Sequence, residues 1–141
     1  MINKIFVYGT LQRGMYNEKF LPNVAIKSAY NATINGDLYM VKGATFPAVV
    51  NKNSSNIVHG ELYELKDELI DSLIKLCDRL EGHPNFYKRE TTLVTDEFGN
   101  KHIAYVYILI NHEDLGKRIY NGRYKSEYYG IIGKNRWYIN N

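Results

Sequence analysis

Only one stretch of this chain repeats its apolar residues at helical spacing; most of the rest alternates or runs apolar over the length of a strand. In Asp67 to Glu81, a rotation of about 100° per residue puts Leu69, Ile70, Leu73, Ile74, Leu76, Cys77 and Leu80 on one stripe. Asp71, Ser72, Lys75, Asp78 and Arg79 cover the opposite side. Asp67 stands where an N-cap is expected, and Gly82 where the helix should close. One amphipathic helix among many strands must bury its stripe on a sheet, which predicts an α+β fold built on a small, mostly antiparallel barrel.

The strands are expected at Lys4–Tyr8, Asn31–Val41, Ala48–Val50, Ile57–Leu65, Tyr87–Thr95 and His102–Ile110. Gly36 interrupts the second of these and signals a bulge or a close approach of backbone. The last two form a hairpin around Asp96-Glu-Phe-Gly-Asn100. Ile103 to Ile110 is apolar on both faces, as a central strand must be. The segment after it, with Gly116, Gly122, Gly130 and Gly133, reads as irregular with one short helical turn. No linker, repeat or low-complexity tract divides the 141 residues, so one domain is expected.

Charge is unevenly placed. The net charge of +3 comes entirely from residues 112–141, where Lys117, Arg118, Arg123, Lys125, Lys134 and Arg136 outnumber Glu113, Asp114 and Glu127. Tyr120, Tyr124, Tyr128, Tyr129, Trp137 and Tyr138 are interleaved with them. Such a mixture can stack bases and follow phosphates, or it can pack its rings on a domain and turn its cations to water. An excess of only three charges favours packing over nucleic-acid binding. No apolar run approaches the roughly 20 residues needed to cross a bilayer. A single cysteine and an N-terminus that enters a strand at once make the cytoplasm the expected compartment.

Glu81 is the residue that fits its surroundings least. On the helical wheel it falls between Ile70 and Ile74, on the buried stripe, and in the last turn, where the helix dipole disfavours a negative charge. Burial there would raise its pKa and make it a proton shuttle near neutral pH. The alternative is a frayed helix end with Glu81 turned to water.

The end of the first strand, Val7-Tyr8-Gly9-Thr10-Leu11-Gln12-Arg13-Gly14, offers backbone N–H groups that could hold a carboxylate or an oxyanion, or is an ordinary turn. Gly9 and Gly14 match the glycine spacing of a phosphate loop, but Met15 and Tyr16 occupy the positions that need Lys and Ser or Thr. After the helix, Glu81-Gly-His-Pro-Asn-Phe-Tyr-Lys-Arg89 should turn His83, Tyr87 and Arg89 back towards Glu81. His59, His83, His102 and His112 stand too far apart to suggest a metal site. Cys77 lies mid-stripe and reads as core.

These pieces together resemble the gamma-glutamylcyclotransferase-like superfamily, in particular its AIG2-like and gamma-glutamylamine cyclotransferase branch. The resemblance is carried by Val-Tyr-Gly-Thr-Leu-x-x-Gly at 7–14 followed by Asn17, by Gly36-x-Leu-Tyr39, and by Phe46-Pro-Ala48. It continues through Val58-x-Gly-Glu-Leu-Tyr63, Leu80-Glu-Gly82, Tyr87-x-Arg89 and Ala104-x-Val-Tyr107. It implies a six-stranded barrel flanked by helices with the cavity at the strand ends. It also implies an enzyme that releases 5-oxoproline from a small-molecule gamma-glutamyl amine or amide. Tyr8, Gly9, Thr10 and Leu11 would cradle the gamma-glutamyl group, Glu81 would be the acid/base residue, and Tyr87 would line the pocket. The reaction so implied requires no metal, nucleotide or covalent intermediate. Many members close with Ile…Gly-Asp-Trp where this chain has Ile132-Gly-Lys-Asn-Arg-Trp137, a difference that bears on substrate choice. The other class of function left open is a non-catalytic module on the same barrel, binding a small metabolite or RNA.

Overall fold

The computed structural model describes residues 2–15 and 21–125. Asn17 and the basic, aromatic segment from Ser126 onward, Trp137 included, lie outside the described residues. The strands are β1 (Lys4–Val7), β2 (Ile26–Asn35), β3 (Asp37–Val41), β4 (Pro47–Val50), β5 (Ile57–Leu65), β6 (Tyr87–Asp96), β7 (Lys101–Leu109) and β8 (Leu115–Arg118). One α-helix, α1 (Ile70–Glu81), is accompanied by 3-10 turns at Asn23–Ala25, Asp67–Leu69 and His112–Asp114.

The barrel closes through β7. Antiparallel pairings run β1 to β5, β5 to β2, β2 to β6 and β6 to β7, and β7 returns to β1 in parallel where Ile5 meets Tyr105. The same edge of β7 takes β4 in parallel further along, at Val49 and Ile108, and β3 and then β8 extend the sheet from there.

Eight strands, not six, make up the sheet. The extra β8 has the sequence Leu-Gly-Lys-Arg, with no alternation to reveal it; it exists because its backbone pairs with Tyr39 and Val41. Gly36 splits the expected long strand into β2 and β3, and a side chain at the corner would crowd β4: a Cβ would lie 3.0 Å from Val49 Cγ1.

Alternation along β1 and β7 sorts the core into two layers. Phe6, Tyr8, Ala104, Val106 and Ile108 point into the barrel with Ile34, Val58, Leu62 and Val94. Ile5, Val7, Tyr107 and Leu109 point outward, where Ile70, Leu73, Ile74 and Cys77 of α1 cover them. Both faces of β7 are therefore buried from Val106 to Leu109, while Ile103 at the start of the apolar run stays half exposed. The helix enters through the 3-10 turn and not through an Asp67 cap: Leu69 N–H bonds the Lys66 carbonyl at 2.9 Å, and the Asp67 side chain caps nothing. No helix among the described residues is long and apolar enough to cross a membrane.

Candidate active site

The cavity opens where two strands part company on one edge of β7. β1 leaves that edge beyond Ile5 and β4 joins it at Val49, so the backbone between them lacks a neighbouring strand. The Tyr8 hydroxyl bridges the gap, donating to the Tyr107 carbonyl at 2.6 Å and accepting from Val49 N–H at 3.3 Å. Beside it lies a cavity of about 580 Å³ walled by the 7–11 loop, Thr45–Pro47, the end of α1 and the rings of Phe86, Tyr87 and Tyr107. A volume of this size suits a small-molecule ligand.

Glu81 stands in this wall as the last residue of α1. The helix end is held rather than frayed. Gly82 takes the left-handed conformation (φ 68°), its N–H bonds the Arg79 carbonyl at 3.3 Å, and His83 N–H bonds the Asp78 carbonyl at 2.9 Å. This double closure is the Schellman arrangement that glycine makes cheap. Glu81 continues the Ile74–Cys77 stripe onto the cavity, where burial pushes its carboxyl up to about 7. Among the described residues, no hydrogen bond or ion pair reaches that carboxyl. It is a bare acid in an apolar wall.

Three tyrosines surround it, and each turns its proton elsewhere. Tyr8 donates to Tyr107 O, Tyr87 to Pro47 O at 2.6 Å, and Tyr107 to Asp78 Oδ1 at 2.7 Å. Burial first, and the Glu81 charge among the lesser causes, raises all three phenols far above their ordinary range. They are wall and scaffold, not proton donors. Cys77 is fully buried beneath them, its thiol pushed up to about 12 by burial.

The 7–11 loop can lie close because Gly9 has no side chain; a Cβ there would fall 2.9 Å from Pro47 Cγ. Its far end is anchored on β5. Arg13 N–H donates to Glu61 Oε1 at 2.8 Å, Arg13 Nε to the Tyr63 hydroxyl at 3.1 Å, and Tyr63 in turn to Glu61. Among the described residues, the N–H groups of Gly9 and Leu11 have no protein acceptor, although Leu11 is only 3% exposed. A buried N–H without a partner is costly unless something in the cavity accepts from it.

Of the residues singled out in the sequence, Tyr8, Gly9, Thr10, Leu11, Glu81 and Tyr87 all line this one cavity. The turn after α1 does not bring the other two expected residues to it. Arg89 pairs with Asp78 Oδ2 at 3.2 Å, and its N–H donates to His83 Nδ1 at 2.9 Å, away from the cavity wall. Arg79 is the lining residue that the helical pattern hid, since it falls on the polar side of the wheel.

Residues 5–126 match the family described as gamma-glutamyl cyclotransferase, AIG2-like. The chain belongs to that family. A Methanocaldococcus jannaschii protein that carries gamma-glutamylcyclotransferase as a provisional name is 31% identical over 128 residues, covering 86% of this chain and 94% of the relative. The gamma-L-glutamyl-butirosin B gamma-glutamyl cyclotransferase of Niallia circulans is 31% identical over 116 residues, with 78% and 68% covered. Among solved structures, a mouse AIG2-like protein superposes with a TM-score of 0.70 at 26% identity, over 89% of this chain and 90% of that one. YkqA of Bacillus subtilis is longer: the match covers 91% of this chain but 41% of YkqA (TM-score 0.64, 25% identity).

Within this cyclotransferase-family barrel the Tyr8 bridge carries a stability prediction. Tyr8→Phe strands the Tyr107 carbonyl and the Val49 N–H, and an unsatisfied buried polar group costs about 1–3 kcal/mol. A loss of about 2 kcal/mol in urea unfolding is expected. An unchanged midpoint would show that the hydroxyl does not replace strand pairing here.

Proposed function

We propose that this protein cyclises a gamma-glutamyl amine or amide to 5-oxoproline and releases the free amine, with Glu81 as the base that then serves as the acid. The observation that carries this reading is the bare, half-buried Glu81 carboxyl, poised near neutral pH on the wall of a small-molecule cavity. The family names support the gamma-glutamyl part of the substrate.

The chemistry asks little more of the protein. The substrate's α-ammonium loses a proton to Glu81, and its nitrogen attacks the gamma-carbonyl carbon. The new C–N bond closes the five-membered lactam as the old amide C–N bond breaks. Glu81 returns its proton to the departing nitrogen, the second proton that the ring nitrogen must shed follows to the freed amine, which leaves as its ammonium, and no water enters the balance. Folding the substrate so that amine and carbonyl meet supplies the proximity gain, worth roughly 7–11 kcal/mol when alignment is good. The N–H groups of Gly9 and Leu11 are the donors for the substrate carboxylate or the tetrahedral oxyanion. Tyr8, Thr10 and Tyr87 complete the cradle.

The test is release of 5-oxoproline from gamma-glutamyl amines and dipeptides whose leaving amines are neutral, anionic or cationic. Product from at least one of them is expected. A folded protein that forms none across the panel would overturn the reading.

A further inference from the structure

Resting on that reading, we infer that Glu61 is a positioning residue: through Arg13 and Tyr63 it holds the Gly9 loop where the N–H groups of Gly9 and Leu11 take the α-carboxylate of a gamma-glutamyl substrate. The loop closes its own turn, with Gln12 N–H and Gln12 Nε2 both donating to the Gly9 carbonyl, at 3.1 and 3.2 Å. Those bonds shape the turn without fixing where it stands over the barrel. β5 does that. Glu61 faces Val7 in the β1–β5 ladder, where the chain leaves β1, and its carboxylate meets the same chain again at Arg13. There Arg13 N–H donates to Glu61 Oε1 at 2.8 Å and to the Tyr63 hydroxyl at 3.1 Å.

Side chains complete the clamp. Tyr63 is fully buried, and burial first, then the Glu61 charge, keeps its phenol protonated, so that it donates to Glu61 Oε1. Its hydroxyl accepts from Arg13 Nε at 3.1 Å, and the guanidinium lies 4.9 Å from the centre of the Tyr63 ring. Arg13 then reaches forward to Asn23 Oδ1 at 3.1 Å and to the Leu21 carbonyl. The ladder between β1 and β5 is made by backbone and needs none of these groups. Glu61, Tyr63 and Arg13 also stand outside the cavity wall, so they act on a ligand only through the loop. A charge-assisted bond to a backbone N–H is roughly twice as strong as a neutral one. A loop released from it must be ordered again each time a ligand binds, and affinity suffers.

The experiment uses two ligands that differ only in the α-carboxylate, gamma-glutamylethylamine and 4-amino-N-ethylbutanamide. Calorimetry in the Glu81→Gln background reads binding without turnover, and 5-oxoproline release is followed with Glu81 in place. With Glu61 intact, gamma-glutamylethylamine should bind about tenfold tighter or more. Glu61→Ala should bring the two ligands within about twofold by weakening only the one with the carboxylate, and should raise its KM by a similar factor with kcat little changed. Glu61→Gln should keep most of the preference, because both bonds from Arg13 N–H and Tyr63 end on Oε1, which the amide retains. Tyr63→Phe, which removes the hydroxyl alone, should lose part of it and serves if Glu61→Ala does not fold. Ser28→Ala is the control: it removes a bond to the Glu64 carboxylate of the same strand (3.0 Å), away from the loop, and should leave the preference intact. Equal affinity with Glu61 intact, a preference that survives Glu61→Ala, or a loss shared by both ligands would overturn the inference. So would a Gln variant as weak as the Ala variant. A preference that depends on Glu61 without any 5-oxoproline would keep the clamp and remove the proposed reaction. 5-Oxoproline formed with a preference indifferent to Glu61 would do the reverse.

Discussion

Replacing Glu81 by Gln should lower 5-oxoproline release by about 10³-fold or more, while leaving the protein folded and, at pH 8, more stable than wild type. The loss of rate follows from removing the one carboxylate on the cavity wall among the described residues; general acid–base catalysis alone is worth about 10² to 10⁴. The gain in stability follows from the same burial. Free in the unfolded chain the carboxyl ionises near 4.5, and in the folded protein near 7, so the folded state holds the proton more tightly. The folded protein thus gains from the protonated form at low pH, and that gain is lost as pH rises from about 4.5 to about 7. The loss is about 3 kcal/mol at most. Gln carries no charge to desolvate and escapes it. Urea unfolding at pH 5 and pH 8 measures the effect: the two proteins should differ little at pH 5, and Gln should lead at pH 8. Native turnover by the variant, or curves that keep the same separation at both pH values, would contradict the role given to Glu81.

Among the glycines inside the strands, Gly60→Ala is expected to be the most damaging substitution. Gly60 lies on β5 against the end of β1, where an added Cβ would overlap the Val7 carbonyl oxygen and fall 2.7 Å from Phe6 Cζ. The oxygen belongs to backbone and has nowhere to rotate. Either β1 shifts or the β1–β5 pairing opens, and both displace the loop that begins at Tyr8. Overpacking costs about 1–3 kcal/mol and occasionally more; a loss of about 3 kcal/mol, or roughly 10 °C in Tm, is expected here. Gly99→Ala is the control. Its Cβ would meet nothing within 4 Å, so only the left-handed backbone (φ 86°) opposes it, at about 1–2 kcal/mol. Thermal unfolding of the pair separates the effects, and equal losses would remove the steric argument for Gly60.

Much of this arrangement could be read from residue pattern. The seven-residue apolar stripe forced a helix onto a sheet, and the two-sided apolar run of β7 forced it to the centre. Glu81 was conspicuous because a carboxylate had taken a position that packing reserves for an aliphatic residue. The Gly9 loop was legible as either a donor site or an ordinary turn, and residue pattern alone does not choose between them. What escaped has a common cause. β8 and the first residues of β2 have no clean alternation, and their strand character comes from backbone pairing with distant segments. Asp67 looked like a cap, but the 3-10 entry closes the turn through backbone instead. Arg79 sat on the polar side of the helical wheel. It reaches the cavity only because the helix ends over the gap between β1 and β4, a fact of tertiary packing that no local period encodes.

The pH dependence of 5-oxoproline release by the wild type, followed as kcat/KM with a reactive gamma-glutamyl substrate, bears most directly on Glu81 as the working base. kcat/KM reports the ionisation of the free enzyme. The proposed mechanism requires the carboxylate, so the rate should rise from low pH, reach half its plateau near pH 7, and lose that limb in Glu81→Gln. A rate already at its plateau by pH 5 would mean that the base ionises as an ordinary solvated carboxylate, and would contradict a buried Glu81 driving the cyclisation.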